Sequence, residues 1–202
     1  MMNGHETRSR LSTSRMLDAA GELIAEGGYN TMTLASVGER AGYSRGLATM
    51  RFGSKAKLLD ALVDRIVTRW DDQVIGPQTV GRPGLDGVIV LLRSIRDQFA
   101  SDSRSIGVLY ALMFEALGPN KELRARFVDF HRQMRSRLAT TIRRGCEDGS
   151  IAVSVDPERE AELIVAGLRG VGFQWRLDPR DFDPVAALDY VIATVAARLA
   201  SS

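Results

Sequence analysis

The chain has 202 residues, 45% hydrophobic and 26% charged, the proportions of a water-soluble folded protein rather than a disordered or fibrous one. No apolar run reaches the roughly 18 residues a membrane span requires, and the first ten residues lack the apolar core of an export signal; no membrane partner and a cytoplasmic location are expected. One cysteine, Cys146, excludes an internal disulfide, and two histidines leave little for a zinc site, so neither metal nor cofactor is expected.

The net charge is +2, but residues 1–57 carry eight Lys and Arg against five acids. By itself this excess of three describes a solvated surface; with a supporting motif it would point to a polyanion. Taken in order, the apolar residues recur at helical spacing. Met16, Ala20, Leu23 and Ile24 form one stripe, stopped by Gly27 and Gly28. Leu34, Val37 and Ala41 form a short second one, and Leu59, Leu62, Val63, Ile66, Trp70 and Val74 a long one ending in the Gly- and Pro-rich stretch 76–84. Val88 to Phe99, Ile106 to Leu117, Leu123 to Ile142, Ile164 to Trp175 and Val185 to Leu199 continue the pattern. Only residues 151–155 alternate as a strand would, too few to make a sheet. The fold class is therefore all-α, with about nine helices. Thr33, Ser44 and Ser54 stand where a hydroxyl caps a first turn. Pro119, Pro157 and Pro184 stand where helices begin.

The stretch from Thr33 to Lys55 is the informative one. Thr33 opens a short helix that Gly42 can end in the left-handed conformation, and Ser44 opens a second reaching about Met50. Two helices joined by a short glycine-containing turn describe a helix-turn-helix, whose second helix enters the DNA major groove; a helical hairpin without DNA is the alternative. The second helix, Arg45-Gly46-Leu47-Ala48-Thr49-Met50-Arg51, has no clean apolar stripe and carries a glycine that permits close backbone approach. Lys55 and Lys57 occupy the first turn of the next helix, where positive charge is mildly unfavourable unless an anion such as a phosphate docks there.

Residues from about Arg10 to Val63 resemble the DNA-binding segment of the TetR family of transcriptional regulators. The resemblance is carried by Glu26-Gly27-Gly28-Tyr29, Thr31-Met32-Thr33-Leu34, the run from Val37 to Gly46, and Phe52-Gly53-Ser54-Lys55 with Leu58 and Leu59. It implies an all-helical homodimer that binds double-stranded operator DNA and is released by a small ligand. The family's DNA-binding role carries over to Thr33, Ser44, Arg45, Gly46 and Lys55. Thr49 and Met50 stand where the family usually has tyrosines, and Arg51 where it has histidine. They join the DNA-binding set on their own chemistry, two groups for thymine methyls and a guanidinium for a phosphate or guanine. The expected division is a flexible arm over 1–9, with Arg8 and Arg10 reaching for a minor groove, a DNA-binding domain over 10–53, and a ligand-binding and dimerisation domain over 54–202.

In the body, Ile106 to Leu117 is apolar all round apart from Glu115, which must find an arginine, a donor or a ligand, or take up a proton. Trp70, Phe99, Tyr110, Met113, Phe114, Phe127 and Met134 offer large apolar surface to core or to a ligand, and His131 shares a face with Phe127 and Met134. Given the resemblance, these eight are the expected lining for a small, largely apolar effector. The last two helices are the expected dimer surface, through Ile164, Leu168, Val171, Gly172, Trp175, Ile192, Val195 and Leu199; packing within one chain is the alternative. No paired nucleophile and base and no phosphate loop is present, so an enzyme is not expected. The sequence reads as a ligand-responsive regulator, a repressor acting on a pseudo-palindromic operator.

Overall fold

The computed structural model describes residues 4–69, 82 and 84–200. Among them are nine α-helices: α1 (Gly4–Gly27), α2 (Leu34–Arg40), α3 (Arg45–Phe52), α4 (Lys55–Arg69), α5 (Gly84–Ser101), α6 (Ser103–Glu115), α7 (Lys121–Asp148), α8 (Pro157–Leu177) and α9 (Pro184–Leu199). A single 3-10 turn, Tyr29–Thr31, separates α1 from α2. The alternating stretch 151–155 gives one isolated bridge, Ile151 to Ala200, and no strand. None of the described helices is long and apolar enough to cross a membrane.

The punctuation residues act largely as their chemistry dictates. Thr33 Oγ1 accepts from Ser36 N–H, and Ser36 Oγ accepts from Thr33 N–H, each at 3.0 Å, so two of the orphan donors at the start of α2 are satisfied. Ser54 Oγ accepts from Lys57 N–H at 3.2 Å. Asp156 and Asp183 cap α8 and α9, each with proline at the first helical position. Ser44 differs: its hydroxyl makes no capping bond, and its carbonyl instead accepts from Leu47 N–H at 3.1 Å. The stretch expected as a flexible arm also differs. α1 begins at Gly4 and runs 24 residues, placing Arg8 and Arg10 on a helix. Hydroxyls at Ser12 and Thr13 bond back to the carbonyl of Ser9, and a long-range partner described below holds this turn.

The structure divides into two compact units: Met1–Val67 with Gly107–Arg124, and Thr68–Ile106 with Ala125–Ser202. In the first, Met16, Ala20 and Ile24 of α1 are buried with Val37, Leu58, Leu62, Leu109 and Leu112. α1 is braced to its neighbours through side-chain ends. Arg40 forks onto both carboxylate oxygens of Glu26 at 2.9 Å, and Arg65 pairs with Asp18 at 2.9 Å. In the second unit α5 packs on α9, and α9 on α8. Ion pairs trim their edges, Arg96 with Asp189 at 3.2 Å, Arg198 with Glu160, and Arg143 of α7 with Glu158 of α8.

The turn between α2 and α3 depends on one close approach. A Cβ on Gly38 would meet the Ser44 carbonyl oxygen at 2.6 Å, inside any real contact distance, and Gly42 takes φ 79°. Replacing Gly38 by alanine must therefore push α3 off α2. We expect a loss of about 1–3 kcal/mol, read as a fall in thermal midpoint of about 2–4 °C per kcal/mol for a chain of this size. An unchanged midpoint would mean that the turn has slack.

Candidate nucleic-acid interface and ligand region

α3 is eight residues long, and Ala48 is its one fully buried residue. Arg45, Gly46, Thr49 and Met50 face outward, Met50 with 78% of its surface exposed. A short helix anchored by one small side chain and showing such a face contributes little to a core. The Arg45 guanidinium pairs with the Glu39 carboxylate of α2. Thr33 and Ser44 are exposed at the starts of α2 and α3. Lys55 is folded back on the 3-10 turn: its Nζ sits 4.2 Å above the Tyr29 ring and donates to the Asn30 carbonyl at 3.3 Å. Partial burial pushes its ammonium below the ordinary lysine value, with Glu115 pulling the other way.

Arg51 is turned toward α1. Its guanidinium reaches back across 42 residues to α1. Nη1 donates to Ser9 Oγ at 2.6 Å, to the Ser9 carbonyl at 3.2 Å and to Thr13 Oγ1 at 3.1 Å, while Nη2 donates to Ser12 Oγ at 3.1 Å. The sequence signal for this partner was the hydroxyl-rich run Ser9 to Ser14, which helix periodicity ignores. Glu115 also resolves: it is half-buried at the end of α6, has no ion-pair partner among the described residues, and its charge is felt at Tyr29 and Lys55.

The eight residues expected to line a ligand site are shared between the two units. Trp70 lies outside the described residues. Tyr110, Met113 and Phe114 belong to the first unit, where the rings of Tyr110 and Phe114 are tilted against each other at 6.4 Å. Phe99, Phe127, His131 and Met134 belong to the second. There Phe127 and Phe130 meet edge to face at 6.2 Å, and Phe99 meets Trp175 likewise at 5.6 Å. His131 Nδ1 lies 2.7 Å from the Phe127 carbonyl, and Arg169 Nε donates to its Nε2 at 3.0 Å. The ring is thereby held as the neutral tautomer with its proton on Nδ1. Burial, then the adjacent Arg169, lowers the imidazole below its ordinary value.

The residues expected at the dimer surface are mostly turned inward. Ile164, Leu168, Val171, Gly172, Ile192, Val195 and Leu199 are buried within the single chain, Leu168 with 2% exposed, and Trp175 is packed on Phe99. They form the contact of α8 and α9 with their own unit. The outer faces carry a second apolar set: Leu163, Ala166, Gly170, Phe173 and Leu177 on α8, and Tyr190, Ala193 and Ala197 on α9. Leu163 is 56% exposed, Phe173 47% and Tyr190 76%. The spacing 163, 166, 170, 173, 177 was legible as a stripe, but sequence periodicity cannot rank two stripes on one helix.

The comparisons agree with this geometry. Residues 16–62 match the family described as bacterial regulatory proteins, tetR family, and residues 91–200 match the BetI-type transcriptional repressor, C-terminal. The chain is 30% identical over 184 residues to the HTH-type transcriptional regulator BetI of Rhizobium meliloti (strain 1021), covering 88% of this chain and 86% of that protein. Among solved structures, the fatty acid degradation regulator FadR from Bacillus halodurans superposes with a TM-score of 0.79 at 21% identity, over 92% of this chain and 94% of that one. SmeT, the repressor of a multidrug efflux pump of Stenotrophomonas maltophilia, superposes in its triclosan complex with a TM-score of 0.81 at 23% identity, over 95% and 92%. A shared all-helical frame, a helix-turn-helix with an outward-facing second helix and family matches at both ends lead to one conclusion: the chain belongs to the TetR family of transcriptional regulators.

Proposed function

We propose that the protein is a ligand-responsive repressor without enzymatic activity, which binds a pseudo-palindromic operator as a homodimer and leaves it when a small, largely apolar molecule binds. The observation that carries this reading is the outward face of α3, whose Arg45, Gly46, Thr49 and Met50 bury almost nothing within the chain. In a major groove Arg45 can fork onto the O6 and N7 of a guanine, exchanging the Glu39 carboxylate for a base edge, while Thr49 and Met50 meet thymine methyls. Thr33, the uncommitted Ser44 hydroxyl and Lys55 flank that face and take phosphates.

The pairing surface is the outer stripe of α8 and α9, because apolar residues in a continuous exposed row are those a second copy can cover. Two recognition helices about 34 Å apart then match successive major grooves. The effector is assigned to the body. Its apolar character rests on the aromatic set around Phe99, Phe127 and Met134, with the neutral His131 as a polar group. SmeT, which shares this fold, has been seen in a complex with triclosan.

Duplex DNA selected from random sequences tests the reading directly; absence of salt-dependent binding at low ionic strength would overturn it. Arg45→Ala should cost about 1–3 kcal/mol, concentrated at one base position. Lys55→Ala should weaken all sequences alike and lower the salt slope by about 1. A uniform loss for Arg45 would make it a backbone contact.

Assembly separates the two faces of α8. Leu163→Asp and Tyr190→Asp should yield folded monomers in light scattering, with helical content and thermal midpoint close to those of the parent's subunit. Leu168→Asp should instead abolish folding, since a carboxylate there is buried without a partner at a cost of several kcal/mol. Dimers that survive both exposed substitutions would exclude the outer stripe.

A further inference from the structure

Between the first turns of α1 and the flank of α3 lies a cavity of about 360 Å³ lined by Arg8, Ser9, Leu11, Ser12, Tyr43, Leu47 and Arg51. Two arginines, two serines and a tyrosine face it with two leucines. The Ser12 and Thr13 hydroxyl protons are directed to the Ser9 carbonyl, so the hydroxyl oxygens turn their lone pairs to Arg51, which they fix by side chain alone. These acceptors are neutral. They immobilise the guanidinium without cancelling its charge, and among the described residues no carboxylate pairs with Arg51, Arg8, Arg10 or Arg15. Among the described residues, the ion pairs of α1 lie further along it, at Asp18, Glu22 and Glu26.

We propose that Arg51 is a positioning residue that clamps the first turns of α1 beside α3, and that the cavity it closes with Arg8 receives a phosphodiester group of the duplex. The proposal rests on the DNA-binding reading given above. Leu47 and Arg51 lie along one side of α3, with Tyr43 just ahead of it in the turn, adjacent to the outward face formed by 45, 46, 49 and 50. When that face enters a groove, the side carrying Tyr43, Leu47 and Arg51 is turned to the groove's wall, which is sugar and phosphate. Arg8 and Arg15 stand on one face of α1 with Leu11 between them, at the i, i+3, i+7 spacing. A backbone running along this face meets Arg8 first at the cavity. Arg51 thus acts on DNA through α1: it sets where Arg8 stands and adds positive potential from a fixed place.

The test combines salt titration of binding to a labelled duplex of random sequence with amide hydrogen exchange of the DNA-free protein. Arg8→Ala should lower the salt slope by about 1 and leave exchange in α1 unchanged. Arg51→Lys keeps the charge, yet one ammonium cannot span Ser9, Ser12 and Thr13. It should speed exchange of the first turns of α1 about tenfold and lower the slope by the same unit as Arg8→Ala. The double variant should match Arg51→Lys alone, because the contact is already lost. Ser9→Ala, which leaves α3 intact, should reproduce the faster exchange and so guards against a misfolded recognition helix. Unchanged exchange in both Arg51→Lys and Ser9→Ala would overturn the clamp, and an unchanged slope in Arg8→Ala would overturn the phosphate site. A loss in Arg51→Lys confined to one base position in selected sequences would make Arg51 a base reader and overturn its positioning role. A parent protein that binds no duplex at any salt would overturn the DNA-binding reading and the phosphate site with it, while the exchange measurements would still decide the clamp.

Discussion

The helix-turn-helix depends on a missing methyl group. Without a Cβ on Gly38 the Ser44 carbonyl can lie where that atom would stand, and α3 starts against α2 at a fixed angle. An isolated eight-residue helix containing glycine and threonine has almost no tendency to form in water. Its geometry is imposed from its two ends, by the turn at Gly38 and Gly42 and by the four bonds from Arg51 to α1. Because the ends hold it, the outward face need not serve the core. Exposed Arg45, Thr49 and Met50 cost the fold little.

The same economy governs charge in the first unit. Four of its carboxylates are occupied in bracing: Glu22 and Glu26 on Arg40, Asp18 on Arg65, Glu39 on Arg45. Surface pairs of this kind stabilise weakly, but they tie these four carboxylates to partners other than Arg8, Arg10, Arg15 and Arg51. The modest excess of three positive charges in residues 1–57 is thereby resolved into a particular place, the arginines at 8, 10, 15 and 51. Net charge is a poor guide to a polyanion site; the arrangement of the counter-charges decides.

In the second unit α8 carries apolar residues on two sides. Ile164, Leu168 and Val171 bury against the unit's own helices, while Leu163, Phe173 and Leu177 remain at the surface. A helix apolar on opposite faces belongs between two layers. Its glycines divide in the same way: a Cβ on Gly167 would lie in ordinary contact with Val191 of α9, at 3.8 Å, whereas a Cβ on Gly170 would meet nothing within 4 Å. The first therefore faces α9, and the second leaves room on the outer face.

Helices, caps and the short turn could be read from the sequence because each is decided by residues within a few positions of one another. Apolar spacing, the Thr33–Ser36 pair, Asp156 and Asp183 before prolines, and glycine at 42 act locally, and the resemblance around residues 10–63 rests on the same compact run. What the sequence could not decide was which of two apolar stripes turns inward on α8, or where a long flexible side chain finds its acceptors. Arg51 and Ser9 are 42 positions apart, and nothing local favours their meeting over a guanidinium left in water. Only the packing of α1 against α3 brings four neutral acceptors into reach of one cation, and only the closure of α5, α8 and α9 on one another selects the buried stripe. Both outcomes depend on which surfaces the whole chain removes from water, a quantity that no window of sequence contains.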